Sequence, residues 1–234
     1  MLRSLAKRFL PESLQLFTKK HLHQAALYTW PTKSYETWLV LQNLLYAVRP
    51  VTLVEFGSGR STNYLAEYSS KFQARLVSFE QNLSWTNKVN RALRLAFFSD
   101  KTVVHASLRR EWYDERVVAR HLAEFPNIEF LFLDGPAAFA NEQRDSAGLR
   151  RQVWPRLNWV KMIIIDDVHR SDCHQLAGKL AGEFKLKRFD IVYNTTNKLA
   201  FILSPVYVSA IDQLPSELKK LLTPVTEEVV WSGV

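Results

Sequence analysis

The sequence predicts an α/β protein, with a sheet of seven mostly parallel strands, helices on both faces, an antiparallel hairpin closing the C-terminal edge and a helical extension in front. Three observations predict it. Short apolar runs alternate with amphipathic stretches along most of the chain, which is the syntax of repeated βαβ units. The last two runs, 187–193 and 199–203, are joined only by Asn194-Thr195-Thr196-Asn197. That link is too short for a crossover helix, so the pair forms a hairpin. The first run ends in Gly57 and Gly59, two of only seven glycines in 234 residues, and glycines so close together mark a backbone turn that something must approach.

The elements follow in order. Leu2, Leu5, Phe9 and Leu10, then Leu14, Leu16 and Phe17, give helical spacing that Pro11 interrupts. A further helix runs from about Ser34 to Ala47. Strands are predicted at 52–56, 75–79, 102–105, 128–133, 161–165, 187–193 and 199–203, with helices near 61–71, 82–97, 111–124, 142–157 and 171–184. Residues 1–48 read as a helical extension or lid, 49–206 as the sheet domain, and 207–234 as a tail that packs on it or frays.

Composition narrows the classes. A hydrophobic content of 47% with 12% aromatics supports a packed core. Cys173 is the single cysteine, which excludes an internal disulfide and fits a reducing, cytoplasmic setting. No apolar run reaches the ~18–20 residues of a membrane span. Charges at Arg3, Lys7, Arg8 and Glu12 break up the N-terminal apolar residues, so no signal peptide is expected there. The net charge of +8 favours acidic partners, but the basic residues are scattered rather than gathered in one run. Nucleic acid is therefore a weak candidate partner. Oligomeric state is not legible.

The glycine turn reads Val54-Glu55-Phe56-Gly57-Ser58-Gly59-Arg60-Ser61-Thr62. A dinucleotide fingerprint needs a third glycine where Thr62 stands. What is present is E-x-G-x-G at the end of the first strand, and Leu76-Val77-Ser78-Phe79-Glu80 ends the second strand in a carboxylate. A Rossmann-like fold uses a carboxylate at that place to bond ribose hydroxyls. Together these residues resemble motif I and the following acidic position of the class I S-adenosylmethionine-dependent methyltransferases. The resemblance, which runs from about residue 35 to 204, implies a Rossmann-like fold and S-adenosylmethionine as cofactor. It implies that Gly57, Ser58 and Gly59 let the backbone approach the cofactor, that Glu55 anchors their loop and that Glu80 meets the ribose. Arg60 holds a carboxylate or is solvated; Ser61 and Thr62 cap the following helix.

Two further strand ends carry charge. Phe130-Leu131-Phe132-Leu133 delivers Asp134 onto a Gly135-Pro136 turn, and Met162-Ile163-Ile164-Ile165 delivers Asp166, Asp167, His169 and Arg170 into one loop. Charge at the end of so apolar a strand needs a partner, a ligand or a use. Asp134, Asp166 and Asp167 offer hard oxygens of the kind that suit magnesium or another divalent cation. The same residues resemble the metal-binding aspartates of the cation-dependent O-methyltransferases related to the catechol and caffeoyl-CoA enzymes, with Asp167 in place of the common asparagine. The resemblance implies a cation that lowers the pKa of the acceptor's hydroxyl. No lysine follows Asp134 as it often does in that family, so His169 stands in as the candidate base, with Asp134 and Asp166 as the other candidate catalytic groups. A smaller resemblance, to the plant glucuronoxylan methyltransferases, covers Asp134-Gly135-Pro136, Arg144 and Asp167 to Arg170 and implies an acidic sugar acceptor.

Arg170, Arg144, Trp30 and Tyr35 are the candidate acceptor-binding residues, with Trp38 either substrate wall or core. Three classes of function follow. The first is a methyltransferase acting on a hydroxyl of a small-molecule or glycan-like acceptor. The second is a nucleotide-sugar glycosyltransferase using paired aspartates and a divalent ion, and the third is a non-catalytic polyanion-binding module.

Overall fold

In the computed structural model, residues 35–96, 98, 102–110, 112–136, 146–192 and 198–225 are described. The predicted helices before residue 34 and the hairpin turn Asn194–Asn197 lie outside them.

The described chain opens with helix α1 (Tyr35–Val48) and strand β1 (Thr52–Phe56), followed by α2 (Arg60–Phe72), β2 (Arg75–Glu80), α3 (Leu83–Leu95) and β3 (Val103–His105). Two very short strands, β4 (Leu108–Arg109) and β5 (Trp112–Tyr113), precede α4 (Glu115–Leu122) and β6 (Phe130–Leu133). Then come α5 (Ala147–Gln152), β7 (Met162–Ile165), α6 (Ser171–Glu183), β8 (Lys187–Val192) and β9 (Lys198–Leu203). The segment after β9 forms α7 (Ser209–Asp212), α8 (Ser216–Lys219) and β10 (Thr223–Val225).

The main sheet has eight strands in the order β10-β8-β9-β7-β6-β1-β2-β3. Seven were expected. The additional strand is β10, which lies antiparallel on β8 at the edge, where Pro224 can be accommodated because an edge strand has one unpaired side. β9 pairs antiparallel with both β7 and β8, which makes β8 and β9 the expected hairpin pair. β4 and β5 form a separate two-stranded ladder. β5 falls at the start of the segment 111–124 read as helix, because Trp112 and Tyr113 are buried against the sheet rather than following a helical stripe. Asp114 then ends the ladder and caps α4, its side chain accepting from the Arg116 amide.

Strict alternation on the central strands explains the layers. Along β6 and β7, Phe130, Phe132, Met162 and Ile164 enter one core while Leu131, Leu133, Ile163 and Ile165 enter the other. All eight are buried, as strands covered on both faces must be. One face is covered by α1, α2, α7 and α8, through Leu41, Leu44, Leu45, Leu65, Ile211 and Leu218. The opposite face is covered by α4 and α6, through Val118, Leu122, Leu176 and Leu180. Cys173 is buried in that second layer. Trp38, left open between core and substrate wall, is core: it is 4% exposed and stacks on Tyr64 at 5.0 Å. Among the described residues, no helix is long and apolar enough to cross a membrane.

The strand order decides where a ligand can enter. From β1 the chain steps outward to β2 and β3, then returns to the other side of β1 as β6. The helices that follow β1 and β6 thus lie on opposite faces of the sheet, and in open α/β sheets this switch point is where ligands bind.

Candidate functional site

The loop after β1 is held in place by groups far away in sequence. Gly57 has φ +88°, a conformation that L side chains rarely adopt, and its N–H donates to Phe79 O at 2.9 Å. A Cβ at Gly57 would stand 2.6 Å from the Gly135 nitrogen and 2.7 Å from the Asp134 carbonyl carbon. The two loops of the switch point therefore touch through backbone. Gly135 is equally confined, since a Cβ there would meet the Tyr113 hydroxyl at 2.3 Å. Gly59 is different. Its φ is 179°, which any residue adopts, and a Cβ there would meet nothing within 4 Å. The fold itself does not require glycine at 59.

Glu80, 8% exposed, organises this loop. Its Oε2 accepts from the Ser58 amide at 3.1 Å and the Ser58 hydroxyl at 3.0 Å, and its Oε1 accepts from the Asn82 amide at 2.9 Å. A carboxylate has about four acceptor positions, so among the described residues one remains, on Oε1. Asn82 in turn caps α3 by accepting from the Trp85 amide, and the Trp85 indole donates to Ser58 O at 2.8 Å. The glycine loop, the end of β2 and the first turn of α3 are thus one hydrogen-bonded unit.

Beneath it lies Glu55, fully buried. Its Oε2 accepts from Thr62 Oγ1 at 2.7 Å, and Thr62 Oγ1 accepts from the Gly59 amide at 2.8 Å. Glu55 reaches the loop through Thr62, as an anchor should. Thr62 sits at the third position of α2 and bonds back to the N-cap residue Gly59, the reciprocal half of a capping box. Ser61 is instead buried beside Glu55, where its hydroxyl favours the ionised carboxyl. Burial outweighs the Ser61, Ser78 and Thr62 hydroxyls, and Glu80 adds repulsion, so the Glu55 pKa is raised from 4.5 to about 7. Oε1 is buried, and among the described residues no hydrogen bond of good geometry reaches it.

These elements enclose a cleft of about 400 Å³ lined by Gly57, Ser58, Glu80, Gln81, Trp85, Tyr113 and Asp134 among others. Asp134 is half-buried at its mouth, its amide donating to Phe56 O at 2.8 Å. Under the cleft Phe56 packs on Phe79, Trp112 and Tyr113 with ring centroids 4.8–5.5 Å apart. Trp85, Gln81 and Tyr113 were missed from the sequence. Asn82 followed three residues later by Trp85 carried a capping signal; Tyr113 carried none, because a helix was expected over it. Arg60 opens α2, and its Nε is buried without a hydrogen bond among the described residues. His105 ends β3 with Nε2 3.1 Å from Gln81 O.

The Asp166–Arg170 loop is tied by backbone to β6 and β9, Asp166 N–H donating to Leu133 O at 2.9 Å and Val168 N–H to Lys198 O at 3.1 Å. Asp166 is 4% exposed and accepts from the Asp167 amide at 2.8 Å. Asp167 takes φ 59°, a left-handed conformation that aspartate tolerates better than most residues. Arg170 donates to Asp172 at 3.2 Å, and His169 is exposed. Among the described residues no group of three His, Cys, Asp or Glu side chains stands at metal-ligand spacing, so Asp134, Asp166 and Asp167 are not gathered into one donor set. Tyr35 opens α1, while Trp30 and Arg144 lie outside the described residues.

Compared by sequence, the chain matches no protein-family model and no curated protein. Compared by structure, it matches many solved chains. It is similar to an O-methyltransferase from Bacillus cereus in complex with SAH, at TM-score 0.50 and 14% identity, over 86% of this chain and 96% of that one. It is similar to TomG from Streptomyces achromogenes, an O-methyltransferase involved in tomaymycin synthesis and solved in complex with SAM, at TM-score 0.53 and 15% identity, over 86% and 93%. A methyltransferase from Geobacter sulfurreducens aligns at TM-score 0.50 and 14% identity, over 86% and 95%. The chain has the class I S-adenosylmethionine-dependent methyltransferase fold. That agrees with the sheet order and with the hairpin read from the sequence. At these identities the likeness speaks for fold; what the crevice does rests on its own residues.

Proposed function

We propose that this chain is an S-adenosylmethionine-dependent methyltransferase acting on a hydroxyl of a small-molecule or glycan-like acceptor. The single observation that carries it is the crevice between Gly57 and Asp134, where a positive-φ glycine, a carboxylate with one acceptor position left and an indole surround about 400 Å³ at the sheet's switch point. Gly59 adds a glycine that the fold does not need but a ligand passing close to backbone would.

In this proposal the backbone of Gly57, Ser58 and Gly59 holds the amino-acid end of the cofactor, and Arg60, with its buried Nε unsatisfied, takes the carboxylate. Glu80 accepts one ribose hydroxyl on Oε1, and Trp85 walls the cleft. Bound there, S-adenosylmethionine supplies an electrophilic methyl group on a sulfonium. The chain's own work is to position the acceptor in line and relieve it of a proton. Asp134, at the mouth of the cleft, orients the acceptor oxygen, and His169, exposed on the neighbouring loop, takes the proton with Asp166 beside it. Arg170, with Arg144, Trp30 and Tyr35, would contact the acceptor, and a guanidinium there favours an acidic one. The aspartates as arranged do not make a cation site, so no step is routed through a metal.

Calorimetric titration with S-adenosylhomocysteine tests this directly. Micromolar-range binding is expected, lost in Glu80→Ala while circular dichroism shows the variant folded. Absence of heat with folded wild-type protein overturns the proposal. Turnover measured with added Mg²⁺ and with chelator should be alike; abolition by chelator would show that the three aspartates close around a cation during the reaction.

A further inference from the structure

At the opposite end of the sheet from the crevice lies a second cavity of about 420 Å³. Its walls come from the residues just before β6 (Asn127, Glu129), just before β7 (Asn158, Trp159, Lys161) and just after β9 (Ser204, Tyr207), all at the amino ends of the parallel strands. The volume falls within the ~300–1,000 Å³ of small-molecule sites. Trp159 is 70% exposed and Val206 78%, among the most exposed large apolar side chains of the described chain. An indole left this open beside a cavity is a surface that costs solvation and offers a flat apolar face to a ligand.

Charge decides the kind of ligand. The two ionisable groups in the wall neutralise each other, Lys161 Nζ lying 3.0 Å from Glu129 Oε2. Both are further committed: Glu129 Oε2 accepts from the Val51 amide at 2.8 Å, and Lys161 donates to Arg49 O at 3.2 Å and lies 5.7 Å from the Tyr207 ring centroid. Their charges cancel, so the wall presents no net charge to anchor an anion or a cation. The remaining polar groups of the wall are neutral, two carboxamides and the Ser204 and Tyr207 hydroxyls, each able to donate and accept, with the Trp159 indole N–H as a further donor. A ligand that matches has one apolar C–H face for the indole and a rim of hydroxyls for Asn127, Asn158 and Ser204. A pyranose ring has both.

We propose that this cavity is a binding site for a neutral saccharide, with the sugar's C–H face on Trp159. The site is independent of the methyl-transfer proposal and stands or falls without it.

The test uses the full chain and cellobiose as probe, read by saturation-transfer NMR and by a tryptophan-fluorescence titration. Cellobiose is expected to bind in the millimolar range, and Trp159→Ala, a substitution at an exposed position, is expected to weaken it about tenfold or more. The S-adenosylhomocysteine titration should be the same in wild type and Trp159→Ala, which separates this site from the crevice. No saturation transfer to cellobiose, or equal binding by Trp159→Ala, overturns the proposal. So does tighter binding of glucuronate than of glucose, since the wall would then hold an available cation. A change in sedimentation on Trp159→Ala would show the face to be a contact between copies of the chain and would also overturn it.

Discussion

On the β1–β2 side of the crevice, the bonds that fix the loop join residues 22 and 27 positions apart, Ser58 to Glu80 and Trp85 to Ser58. On the β7 side, the loop that follows Ile165 is tied to β6 and β9 through backbone, Asp166 N–H donating to Leu133 O and Val168 N–H to Lys198 O, and Asp166 and Arg170 also make bonds one or two residues away, to the Asp167 amide and to Asp172. The first loop cannot change shape without breaking bonds to β2 and α3. In the second, Asp166 and Val168 are fixed to neighbouring strands, and the exposed His169 is the residue whose side chain can move at small cost. A cofactor of constant shape suits the first arrangement, and an acceptor that must enter and leave suits an exposed side chain such as His169.

The largest effect that would test this comparison is at Gly57. Gly57→Ala forces an alanine into φ +88° and sets its methyl group 2.6 Å from the Gly135 nitrogen, where backbone on both sides must give. A loss of roughly 3 kcal/mol or more is expected, from conformational strain and overpacking together, with loss of cofactor binding. Thermal melts and calorimetry on the same preparation check it. Gly59→Ala is the control, with a cost of about 1 kcal/mol or less at an N-cap. Equal destabilisation by the two would show that the loop is not locked at Gly57.

Glu55 gives the next effect, through pH. Its folded pKa of about 7 lies above the ordinary 4.5, so between those values the native state holds a proton that the unfolded chain has released. Stability from this group is complete below about pH 4.5 and is lost as pH rises through about 7. The full loss is worth roughly 3 kcal/mol as an upper figure. Glu55→Gln keeps an acceptor for Thr62 and removes the titration, so the variant should be no more stable than wild type at pH 5 and more stable at pH 8. Denaturant melts at the two pH values measure this. A difference between the proteins that does not change with pH would mean that Glu55 is ionised in the folded chain.

How much of this was readable follows from the same contrast. Sheet strands announced themselves, because Phe130–Leu133 and Met162–Ile165 are buried on both faces and so are apolar throughout. Gly57 and Glu80 were readable because a turn needs glycine and a strand end needs its charge partnered. Glu80's bonds to Ser58 and Asn82 were not, since they depend on how β1 and β2 pair in parallel register. β10 escaped because three residues containing Pro224 carry no strand pattern until β8 offers an edge. Tyr113 escaped because its burial depends on the Gly135 turn, which is distant in sequence. The aspartates were legible as residues at strand ends; whether they converge depends on loop geometry that no spacing rule encodes.

Glu80→Gln sharpens the comparison at smaller scale. The amide cannot accept on both sides, so one of the bonds to Ser58 or Asn82 is lost and a donor faces a donor. A cost of about 1–2 kcal/mol is expected. Cofactor binding should weaken more than the melt shifts, because the remaining acceptor position on Oε1 is the one assigned to ribose. A variant with unaltered affinity would separate loop shape from ribose contact and remove Glu80 from the binding set.

The smallest effect on stability belongs to the β7 loop. His169 is exposed, and replacing an exposed loop side chain usually changes stability by no more than about 0.5 kcal/mol. His169→Ala should therefore melt as wild type does and bind S-adenosylhomocysteine as wild type does. If His169 takes the acceptor's proton, turnover falls and its pH profile changes, because the group that takes the proton is gone. A melt shifted by several degrees would show that His169 is built into the fold as firmly as the glycine loop, and the contrast between a fixed cofactor side and an exposed acceptor residue would fail. Unchanged turnover with an unchanged pH profile would leave the contrast standing and move the proton to Asp134.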